Sequence, residues 1–123
     1  MNEIRSYRDL LVWQKSMLLV KQIYQTSQSF PREEVYGLTA QIRRAAVSIP
    51  SNIAEGHGRH QTKDFIRFLR MSVGSLYELQ TQVEIAYDLG YMADEVGENL
   101  RSSSTELERM LSSLIRKLEK RLT

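Results

Sequence analysis

The chain of 123 residues contains no cysteine, only two prolines and six glycines, and no long hydrophobic run. The lack of cysteine excludes disulfide bridges, zinc–thiolate sites, iron–sulfur clusters and thiol catalysis. The longest aliphatic run, at residues 17–20, is far shorter than the roughly 20 residues that a membrane-spanning helix needs. The first ten residues include charges where a secretion signal needs an apolar segment. These absences predict a cytoplasmic protein with a single domain over residues 1–123 and no contact with membranes.

The charges are unevenly distributed along the chain, although the net charge is only +2. Residues 39–70 contain six Lys or Arg and two acidic residues, whereas residues 71–99 contain six acidic residues and no Lys or Arg. This asymmetry predicts a dipolar surface with one basic end that could meet a polyanion. The alternative is that the charges only cover solvated helix faces.

The hydrophobic pattern is helical almost throughout, and the turn signals typical of β-hairpins are missing. We therefore predict an all-α fold, an antiparallel up-down-up-down four-helix bundle. The expected helices span about residues 8–28, 33–55, 63–89 and 94–122. Gly56 or Gly58 is expected to end the second helix in the left-handed conformation.

The first helix is apolar over more of its surface than one face of a bundle requires. Its heptad-spaced seam, which we expect to face inward, consists of Leu10, Trp13, Met17, Val20, Tyr24 and Ser27. The apolar residues outside that seam are Leu11, Val12, Leu18, Leu19 and Ile23. Because soluble monomers rarely expose such a patch, we expect these five residues to form an interface between subunits.

Pro50 lies inside the apolar pattern of the second helix and predicts a break or kink there, because proline lacks an N–H group and its ring clashes with the preceding turn. The carbonyl groups freed by this break need hydrogen-bond donors. We expect a structural polar motif at this point, made of Ser48, Pro50, Asn52, Glu55 and Gly56. A pocket for a ligand or RNA at the kink is the alternative.

Motifs for catalysis or cofactor binding are missing from the sequence. His57 and His60 are the two histidines, and the Glu-x-x-His pairs of di-iron bundles do not occur. The glycines around His57 lack the lysine and the preceding strand of a phosphate-binding loop. We therefore predict that the protein is not an enzyme and binds neither a metal nor a cofactor.

Basic residues form the most specific candidate site. Lys63, Arg67 and Arg70 share one face of the third helix, and a second basic cluster lies near the C-terminal end of the chain. Cationic side chains bind phosphates without strict geometry, and this pattern predicts nucleic-acid binding, with a solvated helix face as the alternative. The predicted nucleic-acid-binding residues are Arg43, Arg44, Arg59, Lys63, Arg67, Arg70, Arg116, Lys117, Lys120 and Arg121.

Several sequence motifs resemble those of a known family. They are YRDLLVW at residues 7–13, FP at 30–31, EVYGL at 34–38, SIPSNIAEG at 48–56 and GSLYEL at 74–79. The family consists of the 23S rRNA intervening-sequence proteins, small bacterial four-helix bundles encoded within ribosomal RNA genes or by free-standing genes. The resemblance implies a bundle that assembles into a ring, usually a homopentamer. The family also includes a basic, ring-shaped accessory protein of diversity-generating retroelements.

Two functions are consistent with these observations. The first is that of a non-enzymatic, oligomeric nucleic-acid-binding protein that favours structured RNA and uses the basic face of the third helix. The second is a ring-shaped interaction scaffold, or an accessory subunit that docks a partner enzyme such as a reverse transcriptase. RNA or DNA that stays bound through purification would favour the first function over the second.

Overall fold

The computed structural model describes residues 3–123 and consists of four long α-helices joined by short connections. The helices are α1 (Leu11–Ser27), α2 (Leu38–Gly58), α3 (Thr62–Asp88) and α4 (Asp94–Lys120). Single turns of 3₁₀ helix precede α1 and α2, at Tyr7–Asp9 and Arg32–Glu34. No strand occurs in residues 3–123. None of these helices is both apolar enough and long enough to cross a bilayer.

Each helix packs against two neighbours, so that α1 contacts α2 and α4, while α3 contacts the same two helices from the opposite side. This arrangement confirms the predicted all-α four-helix bundle. The core along its axis is formed by aliphatic side chains that are almost inaccessible to solvent, including Ile42, Ile49, Ile53, Leu69, Leu76, Leu79, Leu107 and Leu111. Burial of each such side chain contributes about 1.5–3 kcal/mol to folding.

The buried face of α1 differs from the predicted one. Val12, Leu19 and Ile23 lie in the core of the single chain, so the prediction that these three residues form a subunit interface is wrong. Leu11 and Leu18, from the same predicted set, remain 69% and 56% exposed. The physical reason is that α1 carries two overlapping apolar stripes. One is the heptad-spaced seam, and the other runs through Val12, Leu19 and Ile23. Periodicity shows both stripes but does not show which one the other helices cover.

The second helix begins later than predicted because its first expected turn is replaced by the 3₁₀ turn Arg32–Glu34. The Glu34 carboxylate accepts hydrogen bonds from the Leu38 N–H, at 3.1 Å, and from the Tyr91 hydroxyl, at 2.8 Å. The first of these bonds lowers the pKa of Glu34 most, and the bond from Tyr91 lowers it further. Glu34 therefore joins the start of α2 to the loop between α3 and α4.

The end of α2 also differs from the prediction that Gly56 or Gly58 adopts a left-handed conformation. Both glycines are helical, and His60 takes the left-handed conformation, with a φ of 60°. Gly56 is buried, and a Cβ atom added to it would lie 2.5 Å from the Cβ of Phe68. The glycine is therefore needed for the close approach of α2 to α3 and does not end the helix.

The sequence predicts a break or a kink at Pro50; the proline lies within α2 and the helix continues on both sides of it, so the break does not occur. Side chains instead bond to carbonyl groups near the proline. Asn52 Nδ2 donates to the Ser48 carbonyl at 2.9 Å and to its Oγ at 3.0 Å. Ser72 of α3 donates to the Ile49 carbonyl at 2.9 Å, a contact that the sequence pattern did not indicate.

Glu55 lies outside this hydrogen-bonded network, so its place in the predicted structural polar motif is wrong. Its side chain is exposed and pairs with Arg59 at 2.9 Å, one helical turn further on.

Candidate nucleic-acid interface

The antiparallel arrangement collects basic side chains at one end of the bundle, where α2 and α4 end and α3 begins. We call this the basic end, formed by Arg59, Lys63, Arg67, Arg70, Arg116, Lys117, Lys120 and Arg121. The loops at the opposite end and the adjoining turns carry acidic residues, namely Glu33, Glu34, Asp88, Asp94, Glu95 and Glu98. The 27 residues of α3 span about 40 Å between the two ends. The bundle therefore has a basic end and an acidic end.

Arg67 and Arg70 on the predicted face of α3, and Arg59 just before that helix, are paired with carboxylates. The pairs are Glu55–Arg59 at 2.9 Å, Asp64–Arg67 at 3.6 Å, and Arg70–Glu119, which joins α3 to α4. These pairs are exposed, so they contribute little to stability. They do reduce the positive charge that this face presents to a polyanion.

Phe68 fixes two of these arginines against the bundle. The guanidinium carbons of Arg59 and Arg67 lie 5.1 Å and 4.7 Å from the centre of its buried ring. Cation–π attraction favours this arrangement. The structure thus brings Arg59 and Arg67 together around one aromatic ring, although the first follows α2 and the second lies within α3.

Five other cations at the basic end are exposed, and within residues 3–123 none of them has a carboxylate within 4.0 Å. We call them the end cluster: Lys63, Arg116, Lys117, Lys120 and Arg121. Positive charge in the last turn of a helix also complements the helix dipole, which accounts for Lys117 and Lys120 in part. Because no neighbouring carboxylate offsets the positive charge of the end cluster, it is a better candidate for phosphate binding than the paired arginines.

Arg43 and Arg44 do not join the basic end. They lie 16 and 15 residues before Arg59, or roughly 24 Å away along α2. The Arg43 Nε atom donates to Ser27 Oγ at 2.8 Å, and its guanidinium carbon lies 4.6 Å from the ring centre of Tyr24. These two arginines therefore belong to a separate surface beside the C-terminal turn of α1.

A cavity of about 440 Å³ opens at the basic end between the ends of the helices. His57, His60 and Arg121 line it together with apolar side chains such as Leu118. The His57 ring packs edge-on against Phe65, with ring centres 5.7 Å apart. In the sequence, both histidines lie near basic residues. The cavity that they share also depends on the C-terminal turn of α4, so the spacing of residues along the chain could not predict it. In the described part of the chain, no group of three or more side chains is arranged to hold a metal ion.

Comparisons with known proteins agree with this architecture. A model of the 23S rRNA-intervening sequence protein family matches residues 8–113. A crystal structure from Bacteroides thetaiotaomicron is 26% identical in sequence and has a TM-score of 0.79, covering 85% of this chain and 98% of the other. It is described as a protein with unknown function from the S23 ribosomal protein family. No curated protein matches the chain.

Proposed function

The chain belongs to the 23S rRNA-intervening sequence protein family, and we propose that it binds the phosphate backbone of structured RNA through the basic end of the bundle. The observation that carries this proposal is the end cluster, five exposed cations that have no carboxylate partner within residues 3–123. The family name and that of the S23 ribosomal protein family to which the similar structure belongs both refer to ribosomal components. RNA is accordingly the polyanion that we favour.

The separation of charge along the bundle supports a defined orientation on RNA. A basic end attracts the phosphate backbone, while an acidic end about 40 Å away is repelled by it. Contacts of Lys and Arg with phosphates position a protein without reading bases. We therefore expect the basic end to bind RNA by shape and charge, with little dependence on sequence.

We also propose that the protein acts as an oligomer, with Leu11 and Leu18 in the contact between subunits. These leucines lie seven residues apart on α1, so they share one face, and both are more than half exposed. Family resemblance suggests a pentameric ring. A ring would repeat the basic end in every subunit and increase the number of phosphates contacted at once.

The dependence of binding on salt tests the proposed phosphate contacts. Each contact releases condensed counterions, so log affinity should fall against log salt with a slope of roughly −0.7 to −0.9 per contact. If one end cluster engages fully, the slope should be roughly −4. Fluorescence anisotropy with a labelled RNA hairpin measures it, and an affinity that does not change with salt would contradict the proposal.

A second candidate function is that of a scaffold that docks a partner protein, such as a reverse transcriptase, at the acidic end. The observation that favours it is Tyr36, which is 95% exposed in the connection between α1 and α2, next to the half-exposed Val35. Exposed tyrosines are frequent anchors in protein interfaces. If this function is correct, Tyr36→Ala should abolish capture of the partner and leave RNA affinity unchanged.

A further inference from the structure

A groove between α2 and α3 lies beside Arg43 and Arg44, away from the basic end. Its volume is about 710 Å³, within the range of roughly 300–1,000 Å³ that is usual for small-molecule sites. Arg44 lines it from α2, and Glu78 and Gln82 line it from α3. Tyr24 of α1 also lines the groove.

Three side chains that line this groove have polar groups without a partner in residues 3–123. The Oε1 atom of Gln82 is buried and has no hydrogen-bond donor among the described residues. Buried acceptors without a donor are rare in folded proteins. Arg44 and Glu78 also line the groove, yet neither has an opposite charge within 4.0 Å in residues 3–123. The groove is therefore lined by two acceptor side chains on α3, one with a buried and unpaired oxygen, and by a cation on α2 that has no carboxylate partner in residues 3–123.

Arg43 adds a fixed planar group to this site. Its Nε donates to Ser27 Oγ at 2.8 Å, its Nη2 donates to the Tyr24 carbonyl at 3.4 Å, and its guanidinium carbon lies 4.6 Å from the Tyr24 ring centre. These contacts hold the guanidinium in place without a carboxylate. Nucleic-acid bases stack on guanidinium planes and on aromatic rings of this kind.

We propose that the groove binds a guanine nucleotide, either free or as an unpaired guanine in single-stranded RNA. Glu78 and Gln82 are four residues apart on α3, so their side chains are neighbours on one face. Two neighbouring acceptors match the N1–H group and the adjacent amino group of guanine. Adenine, cytosine and uracil do not have two adjacent donors on that edge. Arg44 then pairs with the phosphate of the nucleotide.

Calorimetric titration of the full chain with GMP, AMP, CMP and UMP tests this inference. We expect saturable binding of guanine, at least tenfold tighter than that of adenine. A heptanucleotide of adenines with one central guanine, compared with the same oligomer lacking guanine, distinguishes the two sources of the base. Binding of the guanine-containing oligomer without binding of GMP assigns the groove to single-stranded RNA. Equal affinity for all four bases, or no binding of GMP and of the guanine-containing oligomer, overturns the proposal.

Substitutions in the groove show whether its polar residues bind a ligand or only support the fold. Gln82→Leu removes the unpaired acceptor, so it should raise the thermal midpoint while it weakens guanine binding at least tenfold. Arg44→Gln should weaken binding of the nucleotide, whereas Arg109→Gln, which changes an exposed cation of α4, should not. Unchanged guanine binding in Gln82→Leu and Arg44→Gln would overturn the proposal.

Nucleotide binding in the groove does not depend on the RNA contacts proposed for the basic end. A third variant distinguishes these two binding sites. Lys63→Glu, Lys117→Glu and Lys120→Glu combined should leave the affinity for GMP, or for the guanine-containing oligomer, within threefold of that of the unaltered chain after correction for net charge. That correction comes from Lys21→Glu, Arg32→Glu and Arg109→Glu combined, a variant with the same charge change. Loss of guanine binding in the first variant alone would move the site from the groove to the basic end.

Discussion

Gly56 of α2 lies so close to Phe68 of α3 that a Cβ atom on Gly56 would be 2.5 Å from the Cβ of Phe68. This contact sets the distance between the two helices near the basic end. It also positions the aromatic ring near which the guanidinium groups of Arg59 and Arg67 lie. A glycine in the second helix thus controls the geometry of arginines at the end of the bundle.

Gly56→Ala should destabilise the fold by about 1–3 kcal/mol, because the added methyl group overpacks a buried contact. Gly74→Ala in α3 is the matched control, since in residues 3–123 nothing beyond its chain neighbours and the backbone of its own helix lies within 4 Å of a Cβ at that position. It should stabilise the protein by about 0.4–1 kcal/mol. Urea unfolding of both variants measures the difference, and equal stabilities would show that α2 and α3 do not meet at Gly56.

Asn52→Ala should destabilise the protein by about 1–3 kcal/mol, because it removes both hydrogen bonds to Ser48 next to the proline. Ser51→Ala removes only an exposed bond to the Val47 carbonyl and should change stability by less than about 0.5 kcal/mol. Chemical denaturation checks both values. A neutral Asn52→Ala with reduced RNA affinity would instead indicate that Asn52 faces a ligand.

The hydrogen bonds to Glu34 predict a loss of stability in acid. They hold its pKa below the ordinary value of 4.5, chiefly through the Leu38 N–H and then through the Tyr91 hydroxyl. A carboxyl group with a lowered pKa stabilises the fold above its ordinary pKa, and this contribution is lost as the pH falls through the lowered value. The advantage of the unaltered chain over Glu34→Gln in urea unfolding should therefore shrink as the pH falls below about 4.5. A constant difference at every pH would contradict this role for Glu34.

Leu11→Gln combined with Leu18→Gln should reduce the molar mass measured by light scattering, because both leucines are exposed on one face of α1. Folding should be retained, since neither side chain belongs to the core. Leu89→Gln, which changes a similarly exposed leucine at the end of α3, should leave the mass unchanged. If the unaltered chain is already a monomer at micromolar concentration, the proposed subunit contact is wrong.

Much of the fold could be predicted from sequence, because the apolar residues of each helix recur at helical spacing and each connection contains residues that favour turns. The inward face of α2 from Leu38 to Ile53 follows directly from the spacing of its apolar residues. The buried face of α1 could not be chosen in this way, since the heptad-spaced seam overlaps with the stripe through Val12, Leu19 and Ile23. Only packing against the other helices decides between those stripes.

Only those contacts of the candidate site that join residues close in sequence could be predicted. Glu55 and Arg59 lie four residues apart, a spacing that indicates an ion pair on a helix. The Arg70–Glu119 pair joins residues distant in sequence and could be found only from the packing of α3 against α4. This pair is one reason why the end cluster replaces the face of α3 as the favoured phosphate site. The unpaired acceptor of Gln82 likewise depends on the neighbours that surround it.

RNA affinity of two matched triple variants tests the proposed function most directly. One combines Lys63→Glu, Lys117→Glu and Lys120→Glu at the basic end. The other combines Lys21→Glu, Arg32→Glu and Arg109→Glu, which changes the net charge equally at exposed cations elsewhere.

Anisotropy with the same RNA hairpin, at one salt concentration, measures both variants, and circular dichroism confirms that each is folded. The basic-end variant should bind at least about tenfold more weakly than the unaltered chain, while the control should stay within about threefold of it. Equal losses in the two variants, or unchanged affinity of a folded basic-end variant, would contradict RNA binding at the basic end.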